Sequence, residues 1–495
     1  MTSVRRALAL SFAERYLSIM LALGSNIILA RLLTPAEIGM YSVTLAVIGI
    51  AQVLRDFGIG NYLIQLKEPS PSQISTAFGM SLLLGGSLFV VVYLLAPWAA
   101  AFYNEADMTA TMRIASLNFL VLPFCLVPMS LLRRDMQFKR LLYVSLGASI
   151  VNFGVTVALA WAGWGANSMA IGSVAMNAAT AVGTLLVGER RAICWPSLTH
   201  WRPVLSFGGQ SAATSVITTI SMDANDLVVG KVLGFEPVAM ISRAQGLMNL
   251  FHRDVMGAIR NVALPAYAQA HRQGEEMASK FRHSLALVTV FAWPFYVLVS
   301  LYSLEALRLL FGPQWDAAAP LVPIFCLAGA LGAINSLVPS LLTAVGRIEL
   351  LTTAELVVQP LRLVLVLAAA VIWRSTEAVA FAFFLSSLTT APFFLWIASR
   401  GVPGVLKGMG KALAPSFAVM LAVVTPAAMH AAVMGFHRHD PISLVWVIPT
   451  VAIGLTLGLV VAELVRHPVT LEPLYAQLRA RLTARVRRAR RDGEA

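Results

Sequence analysis

The stretch Ile74–Trp98, ISTAFGMSLLLGGSLFVVVYLLAPW, runs for the thickness of a bilayer without one Asp, Glu, Lys or Arg. About twenty apolar residues cross the hydrocarbon core as a helix, the arrangement that satisfies every backbone hydrogen bond in lipid. The same texture recurs along the chain. Fourteen such stretches lie near 12–31, 36–55, 74–98, 113–132, 141–161, 167–187, 204–224, 232–251, 283–303, 318–343, 350–372, 376–398, 411–434 and 442–463. Hydrophobic residues make up 58% of the 495, and mean hydropathy is +0.76, too apolar for a soluble chain of this length. The reading is an all-α polytopic membrane protein with fourteen transmembrane helices.

Charge supports that segmentation independently. Cytoplasmic connections retain Lys and Arg. Of the 37 Lys and Arg, 28 fall before the first helix, in the even-numbered connections and in the C-terminal tail. Six mark the odd connections (Arg31, Arg113, Lys231, Arg308, Arg374 and Arg438), and Arg15, Arg243 and Arg362 lie inside helices. A wrong helix count would scramble this alternation, so both termini are expected in the cytoplasm. The net charge of +13 is read as a topology signal and a contact for anionic membrane lipids, with no nucleic acid implied. Arg5-Arg6 before an apolar run imitates a signal peptide. Glu14-Arg15 interrupts that run, which continues to about Ala30 without a clear cleavage site, and it reads as a first helix.

The chain partly repeats itself. Ala30-Arg31-Leu32-Leu33-Thr34 and Ile38-Gly39-Met40-Tyr41-Ser42 lie 200 residues before Gly230-Lys231-Val232-Leu233-Gly234 and Val238-Ala239-Met240-Ile241-Ser242. A second echo, at an offset near 210, pairs Val127-Pro128 through Leu131-Leu132 with Val338-Pro339 through Leu341-Leu342. Six helices separate the copies, which gives both the same membrane orientation. The domains expected are two parallel six-helix lobes around a central cavity (1–188 and 189–400), two additional helices (401–465) and a basic tail (466–495). In that tail Leu471, Leu474, Leu478 and Leu482 fall at helical spacing among seven Arg, the pattern of an amphipathic helix on an anionic leaflet. The longest internal connection, 252–282, carries Glu275, Glu276, Lys280 and Arg282 and reads as a cytoplasmic surface helix.

No enzyme motif is present: no Walker loop, HExxH, GxSxG or aspartate-rich pair. Cys125, Cys194 and Cys326 lack metal spacing and read as packing residues, and His437-Arg438-His439 in a short outward turn reads as an interface feature. No metal or cofactor is expected. Ionisable groups inside helices are more informative, because each is costly in lipid unless it faces protein or water. Arg15 lies in helix 1, Arg55 closes helix 2, Asp223 closes helix 7 and Arg243 is inside helix 8. Glu355 and Arg362, seven residues apart on helix 11, read as an ion-coupling or structural pair that bridges to neighbouring helices. Asn26, Gln52, Gln210, Gln245 and Asn249 follow helices 1, 2, 7 and 8, which correspond under the repeat. Hydrogen-bonding groups with a few cations fit a hydrated polyol bearing phosphate, since Arg offers a planar fork of donors to phosphate oxygens. Interhelical packing is the other reading of each amide.

Ile28-Leu29-Ala30-Arg31-Leu32-Leu33-Thr34-Pro35, Ile38-Gly39-Met40-Tyr41 and Asp56-Phe57-Gly58-Ile59-Gly60 resemble the opening of the polysaccharide (Wzx-type) flippase family of the multidrug/oligosaccharidyl-lipid/polysaccharide exporter superfamily. Asp226 through Gly234 looks like the second-lobe counterpart, although Ala239-Met240-Ile241 stands where the family has Gly-Tyr-Tyr. The resemblance covers roughly 1–400. It implies a flippase, not an enzyme, that moves undecaprenyl-diphosphate-linked oligosaccharide repeat units across the bacterial inner membrane for exopolysaccharide or lipopolysaccharide biosynthesis. It also implies a polyprenyl-diphosphate-linked oligosaccharide as substrate, and a polysaccharide polymerase and chain-length regulator as partners. By helix and depth, the family's cavity arginines fall on Arg15, Arg55 and Arg243. A drug or metabolite cation antiporter of the same fold, for which Glu355 is the feature to check, and an envelope polysaccharide polymerase remain as alternatives.

Overall fold

The computed structural model describes residues 17, 20–56, 59–66, 69–189, 194–199, 201–202, 225–436, 438 and 440–472. Among these the regular structure is entirely helical. Nine described helices are long and apolar enough to cross a membrane, ten if one bent pair counts as a span, and two shorter apolar helices add to them. The protein is a multi-pass membrane protein. It divides into two compact units, Met1–Met240 with Leu310–Gln314, and Ile241–Leu309 with Trp315–Ala495.

The first unit holds α1 (Met20–Leu32), α2 (Pro35–Asp56), α3 (Ile59–Gln65), α4 (Pro71–Tyr103), α5 (Asp107–Ser116), α6 (Asn118–Val121), α7 (Pro123–Arg134), α8 (Phe138–Trp161), α9 (Ala166–Leu186) and α10 (225–232). Local chemistry sets where they begin. Thr34 and Glu37 cap α2 reciprocally: Thr34 Oγ1 accepts from the Glu37 N–H at 3.3 Å, and Glu37 Oε2 accepts from the Thr34 N–H at 2.7 Å. Ser70 and Gln73 do the same for α4, with Pro71 in its first turn. The stretch read as one span at 113–132 is bent by 46° between Val121 and Pro123, where proline supplies no N–H to continue the ladder. Amides tie α6 to α9: Asn177 donates to Asn118 Oδ1 at 2.6 Å, and Asn118 donates to Ser173 Oγ at 2.9 Å. Cys194 packs against the core built from Ile59, Leu63, Phe78, Val127 and Leu131.

The first sequence echo is also an echo of helix boundaries. α1 ends at Leu32 and α2 begins at Pro35; α10 ends at 232 and the next helix begins at Phe235, again 200 residues on. These turns pack on one another. A Cβ on Gly39 would lie 1.8 Å from the Phe235 carbonyl oxygen, so glycine is required for the approach.

The second unit begins within α11 (Phe235–Asn249), which runs through a π-helical turn, Leu250–Val255, into α12 (Met256–Arg272). It continues with α13 (Met277–Leu301), α14 (Ser303–Leu310), α15 (Leu321–Asn335), α16 (Val338–Ala344), α17 (Ile348–Ile372), α18 (Thr376–Gly401), α19 (Met409–Met434) and α20 (Leu444–Leu464). The second echo holds as well. α8 and α17 start at 138 and 348 after turns with positive φ at Met136 and Gly346, and the paired leucines 131, 132, 341 and 342 are all buried. The region read as the connection 252–282 is different: it is helical to Arg272, and only 273–276 form the turn. α12 buries Met256, Tyr267 and Ala270 and packs against α16, an apolar side diluted in the sequence by Arg260, His271 and Arg272. Glu275 and Glu276 sit in the turn and pair with Lys280 and Arg282 of α13 at 2.7 and 3.4 Å.

α19 and α20 are fastened to α13 at both ends. At one end Glu305 pairs with Arg438 at 3.1 Å, and both side chains are buried. Arg438 also donates to the carbonyls of Leu301 and Gly435, while Glu305 accepts from the Ile442 N–H. Arg438 is thus an interface residue within this unit; His437 and His439 lie outside the described residues. At the other end Thr289, Ser416 and His467 form a buried chain of hydrogen bonds with links of 3.0 and 2.9 Å. His467 Nδ1 accepts from the Val469 N–H, which fixes a neutral ring, and burial with His283 nearby lowers its pKa to about 4. The unfolded chain therefore takes up a proton below about pH 6.5 that the folded protein refuses until about pH 4, so this contribution is complete above pH 6.5 and is lost as pH falls toward 4. In detergent the melting temperature should drop between pH 7.5 and 5, and His467→Gln should flatten that drop. Parallel pH profiles for the two proteins would contradict the assignment.

Candidate functional site

Ionisable and amide side chains inside the second unit gather along α11, α12 and α17. Arg243 is 8% exposed, and its guanidinium lies 4.8 Å from the ring centre of Trp315, which is fully buried. A desolvated cation on an indole face gains about 2 kcal/mol. Gln245 and Asn249, farther along α11, are half-buried. The π turn then adds one residue to the winding and rotates the following face by about 100° relative to a uniform α-helix. His252 lies in that turn and Arg260 two turns beyond it.

α17 carries a relay. Glu355 Oε2 accepts from Gln359 Nε2 at 2.8 Å, and Gln359 Oε1 accepts from Arg362. The predicted pair therefore shares a helix face, but Gln359 of the same helix links its members. Arg362 also lies 5.8 Å from the ring centre of Phe383 on α18. Arg260 and Arg362 are both within electrostatic reach of His252.

Two glycines of α15 admit the polar rings of this region. A Cβ on Gly329 would lie 2.6 Å from Tyr296 Cε1 and 2.9 Å from Met248 Cγ; one on Gly332 would lie 3.1 Å from His252 Cε1. Among the described residues, Tyr296 Oη and His252 Nδ1 are buried without a hydrogen-bond partner.

Of the residues expected from the sequence, Arg243, Gln245, Asn249, Glu355 and Arg362 belong to the second unit. In the first, Asn26 lies exposed on α1 and Gln52 half-buried on α2; Arg55 falls in the last turn of α2, and its side chain lies outside the described residues. Arg15, Gln210 and Asp223 lie outside the described residues as well. His252, Arg260, Gln359 and Tyr296 were not anticipated. Gln359 was within reach of inspection, since 355, 359 and 362 follow the i, i+4, i+7 stripe of one face. Arg260 falls within the connection 252–282 of the sequence reading. Among the described residues no group of three or more His, Cys, Asp or Glu could hold a metal ion.

Fold and site together define a multi-pass helical membrane protein that keeps cations and amides inside its helix bundle. The chain belongs to the polysaccharide biosynthesis protein family, whose sequence profile matches residues 28–320. It is 28% identical over 328 residues to the lipopolysaccharide biosynthesis protein WzxC of Escherichia coli, covering 65% of this chain and 66% of WzxC. It is 21% identical to the teichuronic acid biosynthesis protein TuaB of Bacillus subtilis, covering 61% of this chain and 62% of TuaB. The matches thus span just under two thirds of each relative. The lipid II flippase MurJ in its inward closed conformation has a similar fold, with a TM-score of 0.72 over 92% of this chain and 98% of that one at 13% identity.

Proposed function

We propose that this protein is a flippase that moves undecaprenyl-diphosphate-linked oligosaccharide repeat units across the bacterial inner membrane by alternating access, for exopolysaccharide or lipopolysaccharide biosynthesis. The observation that carries the reading is the set of arginines and amides held within the helix bundle of a chain in this family. Guanidiniums held beside amides can offer charge-assisted hydrogen bonds to the phosphate oxygens of a visiting anion. In this reading Arg243, Arg260 and Arg362 are the cations that receive the diphosphate, and Gln245 and Asn249 hydrogen bond the sugar. Arg15, Arg55, Asn26, Gln52 and Gln210 contribute from the N-terminal half. Glu355 and Asp223 have structural or ion-coupling roles. The protein is a transporter and makes or breaks no bond.

The finer architecture belongs to the same proposal. Fourteen spans form two parallel six-helix lobes (1–188 and 189–400) around a central cavity, followed by two further helices (401–465) and a basic tail (466–495) on anionic lipid. Both termini are cytoplasmic, and a polymerase and a chain-length regulator act on the product. The boundary repeat and the distribution of positive charge support this plan.

Two experiments test the proposal. A cell lacking the gene should lose surface polymer while lipid-linked repeat units accumulate on the inner leaflet; polymer export at the normal level would contradict the function. For topology, cysteines placed at Ser197 and Ser284 should resist a membrane-impermeant reagent in intact cells while one at Asn104 reacts. Labelling at Ser197 would overturn the orientation.

A further inference from the structure

The end of α1 and the end of α10 each engage the other half of the sequence repeat. Lys231, in the last turn of α10, donates from Nζ to the Phe102 carbonyl in the last turn of α4, and its ammonium lies 4.4 Å from the centre of the Phe102 ring. Tyr103 beside it donates to the Leu227 carbonyl at 3.1 Å and sets its ring 5.8 Å from that of Phe235. Gln314 donates to the Ala30 carbonyl in the last turn of α1, and a Cβ on Gly312 would lie 3.7 Å from Arg31 Cγ. The two sets of contacts are related by the repeat: an offset of 200 carries Arg31 to Lys231, and one of 210 carries Phe102 to Gly312.

Where these turns meet, the backbones touch. The approach of Gly39 to the Phe235 carbonyl is matched at Gly230 of α10, where a Cβ would lie 2.6 Å from Val43 Cγ2. Val43 is fully buried there. The compact units reflect the same closure. Residues 225–240 and Leu310–Gln314, which the repeat assigns to the second half, cluster with the first. The polar contacts suit a closure that has to open. Lys231 and Gln314 donate to carbonyls at helix ends, which no later N–H of the helix takes. A cation at the C-terminal end of α4 is also favoured by the helix dipole. Both side chains are exposed, so water replaces each bond when it parts, and the net strength of such a bond is small. The seam at Glu305 and Arg438 is built the other way, from buried charges that neither partner can strand.

We propose that these contacts are an outward latch: Lys231, Tyr103 and Gln314 hold the outer ends of the two halves together, and they part to let the translocated saccharide leave. The inference rests on the flippase reading and the orientation above, which put Arg31, Asn104, Lys231 and Gln314 on the outer face. Each transport cycle then opens and re-forms the approach of Gly39 to Phe235, and a bridge between the turns stops transport.

The first arm of the test needs no transport. Val43→Cys is treated from outside the cell with a membrane-impermeant maleimide, with the parent giving the background from Cys125, Cys194 and Cys326. It should react slowly, because the closed turns cover it. Adding Lys231→Met and Gln314→Leu, both at exposed positions, should raise the rate by about fivefold or more, the effect of losing two hydrogen bonds of ordinary net strength. Gly39→Val, whose side chain cannot coexist with the closed approach, should raise it further. Equal rates with and without Lys231→Met and Gln314→Leu would overturn the latch. The second arm measures flipping of a lipid-linked saccharide in liposomes. Phe102→Cys/Lys231→Cys bridged by a short bis-methanethiosulfonate should lose nearly all flipping and regain it on reduction. Full flipping by the bridged protein would overturn the latch and leave the flippase reading intact. No flipping by the parent, with Val43→Cys still exposed by the two substitutions, would overturn the flippase reading and leave the closure standing.

Discussion

Arg362→Ala and Arg260→Ala should each give an inserted protein that exports polymer at least tenfold more slowly than the parent. Each guanidinium can donate charge-assisted hydrogen bonds to phosphate, worth about 1.5–3 kcal/mol apiece, and about 1.4 kcal/mol is a factor of ten in affinity. Arg362 carries a second role, because its contact holds Gln359 and through it Glu355 in place. Arg362→Lys should therefore recover only part of the activity: it restores the charge but not the planar fork. Arg243→Ala is expected to behave differently. It loses the stacking on Trp315 together with any phosphate contact, so abundance should fall along with export. Polymer yield divided by protein level separates the cases, and full export per molecule from Arg260→Ala and Arg362→Ala would remove both from the substrate path.

The second large effect is on stability. Arg438→Ala leaves the Glu305 carboxylate, 3% exposed, without the cation that neutralises it. Removing one member of a buried ion pair costs about 3–5 kcal/mol, because the remaining charge stays desolvated. The pair joins the α13–α14 region to the turn before α20, so the expected result is a fall of many degrees in the melting temperature of detergent-solubilised protein. Glu305→Gln/Arg438→Leu should recover much of the loss, since glutamine still accepts from the Ile442 N–H and no charge is stranded. A single variant that melts like the parent would show that the pair contributes little.

What the sequence revealed followed from which forces act locally. Hydropathy picked out the long apolar helices among the described residues because lipid demands them. The start of α2 was legible too, since Thr34 and Glu37 satisfy each other's neighbourhood within one turn. The echoes at offsets of 200 and 210 were legible because similar short sequences stand where the paired helices begin. Inside the second unit, legibility failed where the winding changed. A uniform helical face drawn through 249–256 misassigns everything after it, because the π turn inserts a residue. Arg260 falls in the connection 252–282 of the sequence reading for a related reason: two arginines and a histidine dilute the hydropathy of α12 while Met256, Tyr267 and Ala270 bury its apolar side. Arg243 was recognised as an unusual buried cation, but its stacking partner Trp315 is 72 residues away and no local spacing announces it. The fit of His252 and Tyr296 against α15 depends on Gly329 and Gly332, which in sequence are two glycines in an apolar run.

Translocation of a lipid-linked oligosaccharide can be measured without the rest of the pathway. Purified protein is reconstituted into liposomes with a fluorescent undecaprenyl-diphosphate-linked saccharide in both leaflets, and an impermeant quencher is added outside. The dye on the inner leaflet should become accessible within the assay, Arg260→Ala should slow this at least tenfold, and vesicles without protein should stop at about half quenching. Quenching that stops at half with the unaltered, folded protein, under either sign of membrane potential and at either pH gradient, would contradict translocation.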